Sequence, residues 1–429
     1  MSLLSRKAIA KIYIAIIIVV IVVAAVGVYA WLTFFPPRPK ENEVRVGVLT
    51  PLTGAAAYFG EGQKAMALWM AERINNEGGI KSLGGAKIRV IIADTEGKPE
   101  VGKTQASRLI TEEKVHVIIG ALHSGVTLPA AQEAERYGIP FICETSSHPD
   151  LTKQGFKWFF RVWGTDAVFA RNYFEFMKWL KETKGYEFKT IAIVAEESLF
   201  CVGVATEWEK LNLDSTLGGY QIVANIRHPV SPTDLTTEAL TLKQANPDVV
   251  LLTVTPIPSA ILWTQALKQV NFFPKALLTC GGFIFPEYLR NVGADGEYII
   301  GREGWSTDLM EKKPIAKQIA EAFTKETGKD MTVYTTTMHA AFVVLRDALE
   351  RAGSLEPEKI RQALTETNIP GDKIIPPWEG IKFDATGQNI YAMNFMVQAI
   401  NGRWRIIWPK DVATVDVVFP APSWDERAG

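Results

Sequence analysis

Cysteine is scarce in this chain: 429 residues hold three, at Cys143, Cys201 and Cys280. An odd, sparse set does not build a disulfide framework. Buried free thiols are the expected state, with a single bridge as the alternative. Net charge is lacking too, since 46 basic side chains face 47 acidic ones. A surface so balanced has no basic field to offer a phosphate backbone, which excludes nucleic acid as the expected partner. The sequence contains no repeat of solenoid length and no low-complexity segment. A Ser-His-Asp ordering, paired catalytic carboxylates and a Gly-rich dinucleotide fingerprint are missing as well, so neither an enzyme nor a cofactor is expected.

One long apolar run is present. Over residues 12–35 everything is apolar, aromatic or glycine except Thr33. About 20 such residues cross the ~30 Å hydrocarbon core as a helix, whereas a cleaved signal peptide has an apolar stretch of about 7–15. Tyr29-Ala30 offers a late cleavage site as the alternative. Arg6, Lys7 and Lys11 precede the run, while Arg38 and Lys40 beyond it are accompanied by Glu41 and Glu43. The positive-inside bias puts the N-terminus in the cytoplasm and everything after Pro36 outside. The expected order is a cytoplasmic tail over 1–11, a single transmembrane anchor over 12–35 and a linker over 36–43, stiffened by Pro36-Pro37-Arg38-Pro39.

The remaining length is too great for one ordinary core. Buried-strand patterns at 44–49, 88–94, 115–119 and 140–142 alternate with helical periodicity at 63–75, 99–112 and 127–137. A second series follows, with strands at 190–194, 220–224, 249–253 and 276–279 and helices at 166–182, 204–213, 234–245 and 259–269. The character breaks near 161–165. Such alternation predicts an α/β protein of two doubly wound parallel-sheet lobes. Helices at 314–327, 334–352 and 357–366, then strands at 380–383, 392–400 and 403–407, read as the chain returning to both lobes. The expected division is 44–165 with 306–378 in lobe 1, and 166–305 with 379–429 in lobe 2.

Gly97-Lys98-Pro99-Glu100-Val101-Gly102-Lys103-Thr104 spells a phosphate loop and follows a strand. A P-loop NTPase is therefore one rival reading. Against it, Pro99 and Glu100 suit the first turn of a helix, which would place Gly102 and Lys103 inside that helix and not in a nest of free amides. Asp94, Glu96 and Glu100 would also surround the phosphates with negative charge.

Gly120-Ala121-Leu122-His123-Ser124-Gly125 stands where a buried strand ends and a helix begins, the edge at which open α/β sheets bind ligands. The Ser124 hydroxyl and nearby amides suit a carboxylate there; the plainer role for Ser124 is a helix cap. Glu144-Thr145-Ser146-Ser147-His148 follows the next strand, and the two polar edges together make a shelf of hydroxyl donors. His123, Cys143 and His148 match no zinc spacing, so no metal is expected. Of the twelve tryptophans, Trp305 is the candidate cleft wall beside His123. Phe59 and Phe200 sit on loops where a ring can cover a ligand.

These runs resemble the branched-chain amino-acid (Leu/Ile/Val) receptors of ABC importers, a family of type I periplasmic binding proteins. The likeness rests on Val46-Gly47-Val48-Leu49-Thr50-Pro51-Leu52-Thr53-Gly54, Asn75-Asn76-Glu77-Gly78-Gly79-Ile80 and Ile118-Ile119-Gly120. Ser146-Ser147-His148-Pro149-Asp150-Leu151-Thr152 and Phe383-Asp384-Ala385-Thr386-Gly387 extend it across roughly 44–407. The resemblance implies two lobes joined by three crossovers, a small ligand in the cleft, and ABC permease and ATPase subunits as partners. It implies that Ser124, Thr145, Ser146 and Ser147 hold a carboxylate, with Phe59 and Phe200 as the aromatic cover. Family members that bind α-amino acids present an acid to the ammonium from the second lobe. Here the matching stretch is Thr279-Cys280-Gly281-Gly282-Phe283, with none. Glu144 and Glu196 are the candidate replacements; otherwise the ligand is a carboxylic acid or amide. A sensory ectodomain of the same fold is the other rival, disfavoured by a cytoplasmic tail too short for a signalling domain.

Overall fold

The computed structural model describes residues 43–427. The expected membrane anchor at 12–35, the tail before it and the linker as far as 42 lie outside the described residues. Among the described residues no helix is long and apolar enough to cross a membrane.

The first lobe begins with β1 (Glu43–Thr50), α1 (Ala57–Asn76), β2 (Lys87–Asp94) and α2 (Pro99–Thr111). It continues with β3 (Val117–Ile119), α3 (Ser124–Tyr137), β4 (Phe141–Cys143) and β5 (Phe159–Arg161). All five strands run parallel, in the order β2-β1-β3-β4-β5. In the second lobe come α4 (Asp166–Lys184), β6 (Thr190–Glu196), α5 (Leu199–Asn212), β7 (Gln221–His228) and α6 (Thr236–Ala245). After these follow β8 (Val249–Val254), α7 (Ile257–Gln269), β9 (Ala276–Gly281), α8 (Pro286–Val292) and β10 (Ile300–Glu303).

The chain then returns through α9 (Leu309–Lys312), α10 (Pro314–Thr327), α11 (Val333–Ala352) and α12 (Pro357–Thr365), with α11 packed along α1. A short antiparallel ribbon of β11 (Asn368–Pro370) and β12 (Gly380–Lys382) comes next. β13 (Phe395–Ile400) and β14 (Arg403–Trp408) complete the second sheet before α13 (Trp424–Arg427). That sheet is ordered β14-β13-β10-β9-β8-β6-β7, antiparallel only at β13 and β14. β8 is buried along its whole length, as a parallel strand covered on both faces must be.

Three crossovers join the lobes, at 162–165, 304–308 and 390–394. The third falls later than the expected break at 378/379. Arg161 N donates to Gly387 O at 2.7 Å and Gln388 bridges to Arg161, so the chain stays with the first sheet as far as Asn389. The crossovers are also tied to their surroundings. Asn389 Nδ2 donates to Val162 O at 2.9 Å, and Asn172 Nδ2 to Asn394 O at 2.7 Å. Gly304 is a glycine because the second crossover touches the first: a Cβ there would lie 2.4 Å from the Trp163 ring.

The phosphate-loop spelling does not form a phosphate loop. Lys98 precedes α2 in extended conformation and Pro99 opens the helix. Gly102 lies within that helix, where a Cβ would come 2.3 Å from Val126 of α3, and Thr104 Oγ1 donates to Glu100 O at 2.9 Å. The Lys98 amide is already bonded to Thr95 O at 2.9 Å and that of Gly102 to Lys98 O at 3.0 Å, so no nest of free glycine amides remains. Cys143, Cys201 and Cys280 are free and buried.

Candidate functional site

The C-terminal ends of β3 and β4 carry the two polar runs to the edge facing the second lobe. Ser146 binds the runs together: its hydroxyl donates to Leu122 O at 2.9 Å and lies 2.6 Å from Thr127 Oγ1. Thr145 Oγ1 meets Thr337 Oγ1 of α11 at 2.9 Å, and Ser124 Oγ accepts from His148 N at 3.3 Å. The Ser146 proton is therefore committed to the scaffold, while that of Ser124 remains free to be donated. Arg161, fully buried beneath, donates to His148 O at 2.8 Å and to Ser146 O at 3.3 Å, fixing the shelf from below.

A cavity of about 50 Å³ lies between this shelf and the second lobe. The first lobe lines it with Leu122, His123, Ser124, Thr145, Ser146 and Ser147. Phe200, Thr255, Gly281, Ile284, Arg302 and Glu303 face them from the second, with Trp163, Val333, Tyr334 and Asn394 at the junction. All four expected hydroxyl residues, Ser124, Thr145, Ser146 and Ser147, come together here, with His123 and Phe200 beside them.

Other expected residues lie elsewhere. Phe59 is buried behind the wall, its ring 4.9 Å from Tyr334 and 4.5 Å from Phe285, so Tyr334 presents the aromatic surface to the cavity. Trp305 does not line this cavity but a neighbouring groove of about 620 Å³, with Trp404, Met310 and Met331, which shares Ile284 and Glu303 with the cavity. Glu144 supports the first lobe from within: it accepts from Gln63 Nε2 at 2.8 Å and from Leu122 N at 3.1 Å, and it is not a lining residue. Glu196 lines an outer chamber and not the inner cavity. Among the described residues no group of three or more His, Cys, Asp or Glu is placed to hold a metal.

The inner cavity has an acid that sequence reasoning missed. Glu303 ends β10, is buried, and leaves Oε2 without a partner. Burial pushes its carboxyl well above the ordinary range, against the pull of neighbouring Arg302 and the amides of Gly304, Trp305 and Val333. Arg302 lies 4.3 Å over the Phe169 ring, and with the Asn394 amide turned to face it Nη1 donates there at 2.8 Å. Asp166 is pushed up to about 6 by burial, offset by Ser147, Arg302 and Arg161. His123 is pushed down to about 4 by burial, so it stands neutral. A hydroxyl shelf on one wall and a carboxylate on the other can hold the two ends of a small zwitterion. The sequence signal was an adjacent Arg-Glu pair closing a strand just before Gly304.

Two parallel α/β lobes, three crossovers and a polar cleft at the strand ends make the architecture of a two-lobed solute-binding protein. The model of the Periplasmic binding protein family matches residues 43–402, and the chain belongs to that family. It is 26% identical over 395 residues to Leu/Ile/Val-binding protein homolog 7 of Brucella abortus, covering 89% of this chain and 95% of the relative. Its fold is similar to that of the branched-chain amino acid transporter substrate binding protein LivJ of Streptococcus pneumoniae, solved with isoleucine. There the TM-score is 0.74 at 19% identity, over 84% of this chain and 97% of that one. A solute binding protein of an ABC transporter from Rhodopseudomonas palustris, solved with 3,4-dihydroxy benzoic acid, gives 0.73 at 18% identity, over 88% and 98%.

Proposed function

We propose that this chain is the extracytoplasmic receptor of an ABC importer, capturing an amino acid or a related small carboxylate between its lobes. The observation that carries this is the cavity enclosed by the hydroxyl shelf on one side and Glu303 on the other. Ser124, Thr145 and Ser147, with the amides beside them, receive the carboxylate. Glu303 receives the ammonium, whose charge relieves an otherwise costly buried anion. Phe200, Trp163, Leu122 and Tyr334 cover the apolar part. Ser146 acts as a brace.

The relatives' names, and the isoleucine and dihydroxybenzoate of the fold neighbours, support a guest of this size and charge. Closure about the three crossovers then presents a shape for permease and ATPase subunits to read. The apolar run at 12–35 tethers the receptor, with the N-terminus cytoplasmic. Isothermal titration of the full chain in detergent, against amino acids and aromatic or aliphatic carboxylates, tests the proposal. Saturable binding of at least one is expected; silence from the whole panel contradicts it.

A further inference from the structure

The inner cavity adjoins an outer chamber of about 500 Å³ between the same two lobes. His123, Ser124, Phe200 and Thr255 line both, so a guest held at Ser124 can extend past Phe200 into the chamber. Glu96, Glu196 and Glu197 line the chamber, and no lysine or arginine does. Glu96 is paired with Lys98 at 2.8 Å, and Glu197 is exposed. Glu196 differs from both: it is 0% exposed, and neither carboxylate oxygen has a hydrogen-bond partner. It ends β6 among Ser198, Thr255 and Ser259, where α5 and α7 both begin. Two helix N-termini favour an anion there, yet burial pushes the carboxyl up to about 7, against the pull of Thr255, Ser198 and Ser259.

The charge balance of the cleft points the same way. Among the residues that line the inner cavity and the outer chamber, the buried acids are Glu196 and Glu303 and the buried base is Arg302. Neutral His123 adds nothing. A simple zwitterion leaves that excess of acid uncorrected, since its own charges cancel.

We propose that the natural guest is an amino acid with a cationic side chain, its carboxylate on the shelf and its distal ammonium or guanidinium at Glu196. This rests on the cleft being the ligand site, as proposed above, and names the class of guest. The methylene stem crosses the Phe200 ring, an apolar collar suited to it. Carboxyl groups at Glu303 and Glu196 also reject acidic side chains.

The test is calorimetric titration of the full chain with lysine and with norleucine, which has lysine's carbon chain but lacks the distal ammonium. Lysine should bind at least tenfold tighter, and Glu196→Gln should bring that ratio close to one. Norleucine binding as tightly as lysine overturns this inference and leaves the receptor assignment standing. Silence from both, together with the rest of the panel, defeats the assignment and the inference with it. An unchanged ratio in Glu196→Gln also overturns the inference, and the wild-type comparison stands should that variant fail to fold.

Discussion

Replacing Glu303 by glutamine isolates the contact on which capture of an α-amino acid depends. The side chain keeps its shape but loses its charge, in a wall that is 3% exposed and leaves Oε2 unpartnered. Removing one member of a buried, hydrogen-bonded charge pair costs about 2–5 kcal/mol. The glutamine oxygen can still accept from an ammonium, which puts the expectation near ~2–3 kcal/mol, roughly a 30- to 150-fold rise in Kd. Leucine and 4-methylpentanoate, which is leucine without its ammonium, complete a double comparison by calorimetry. The variant should lose leucine affinity by that factor and keep or improve its affinity for 4-methylpentanoate, because the Glu303 carboxyl beside a guest that brings no cation is a burden. Equal losses for both ligands would refute an ammonium contact at Glu303. The unliganded variant should also be the more stable protein at neutral pH. A carboxyl raised above its unfolded value contributes most below about pH 4.5, and that contribution is lost as pH rises.

Gly304→Ala should cost about 1–3 kcal/mol by overpacking, since its Cβ would lie 2.4 Å from the Trp163 ring and 3.1 Å from Val333. Calorimetry should record a Tm lower by about 2–6 °C. Glu144 is raised from 4.5 to about 7 by burial, so folding loses stability through this group as pH climbs from about 4.5 to 7. Glu144→Gln keeps the acceptor for Leu122 N and should gain up to ~3 kcal/mol over the parent at pH 8, with no gain at pH 4, in denaturant titrations. Lys103→Ala, on α2, should leave ligand binding unchanged, and the parent should hydrolyse no nucleotide; hydrolysis lost in the variant would restore the phosphate-loop reading.

Much of the fold was legible because parallel strands buried on both faces, such as β8, write themselves as unbroken apolar runs. β5, β10 and β11 escaped: all are three or four residues long, and at β10 Arg302 and Glu303 put charge where a buried strand is expected. α1 and α5 begin earlier than periodicity suggested: Gly60 lies in the first turn of one, and the other opens on Leu199, which is exposed. At the site, the shelf was readable as two polar runs directly after buried strands. The opposite wall was not, because Arg302, Tyr334 and Asn394 come from three separated segments that only the crossovers bring together. Phe59 was misplaced for a related reason: a loop aromatic can face a ligand or lie behind another ring, and Tyr334 decides which.

The account stands on two lobes gripping one guest, and hydrogen–deuterium exchange with and without saturating ligand measures that directly. Amides at 122–124 and 145–147 in the first lobe and at 302–305 beyond it should slow together, in proportion to occupancy. Protection confined to one lobe, or lying outside these segments altogether, would contradict it.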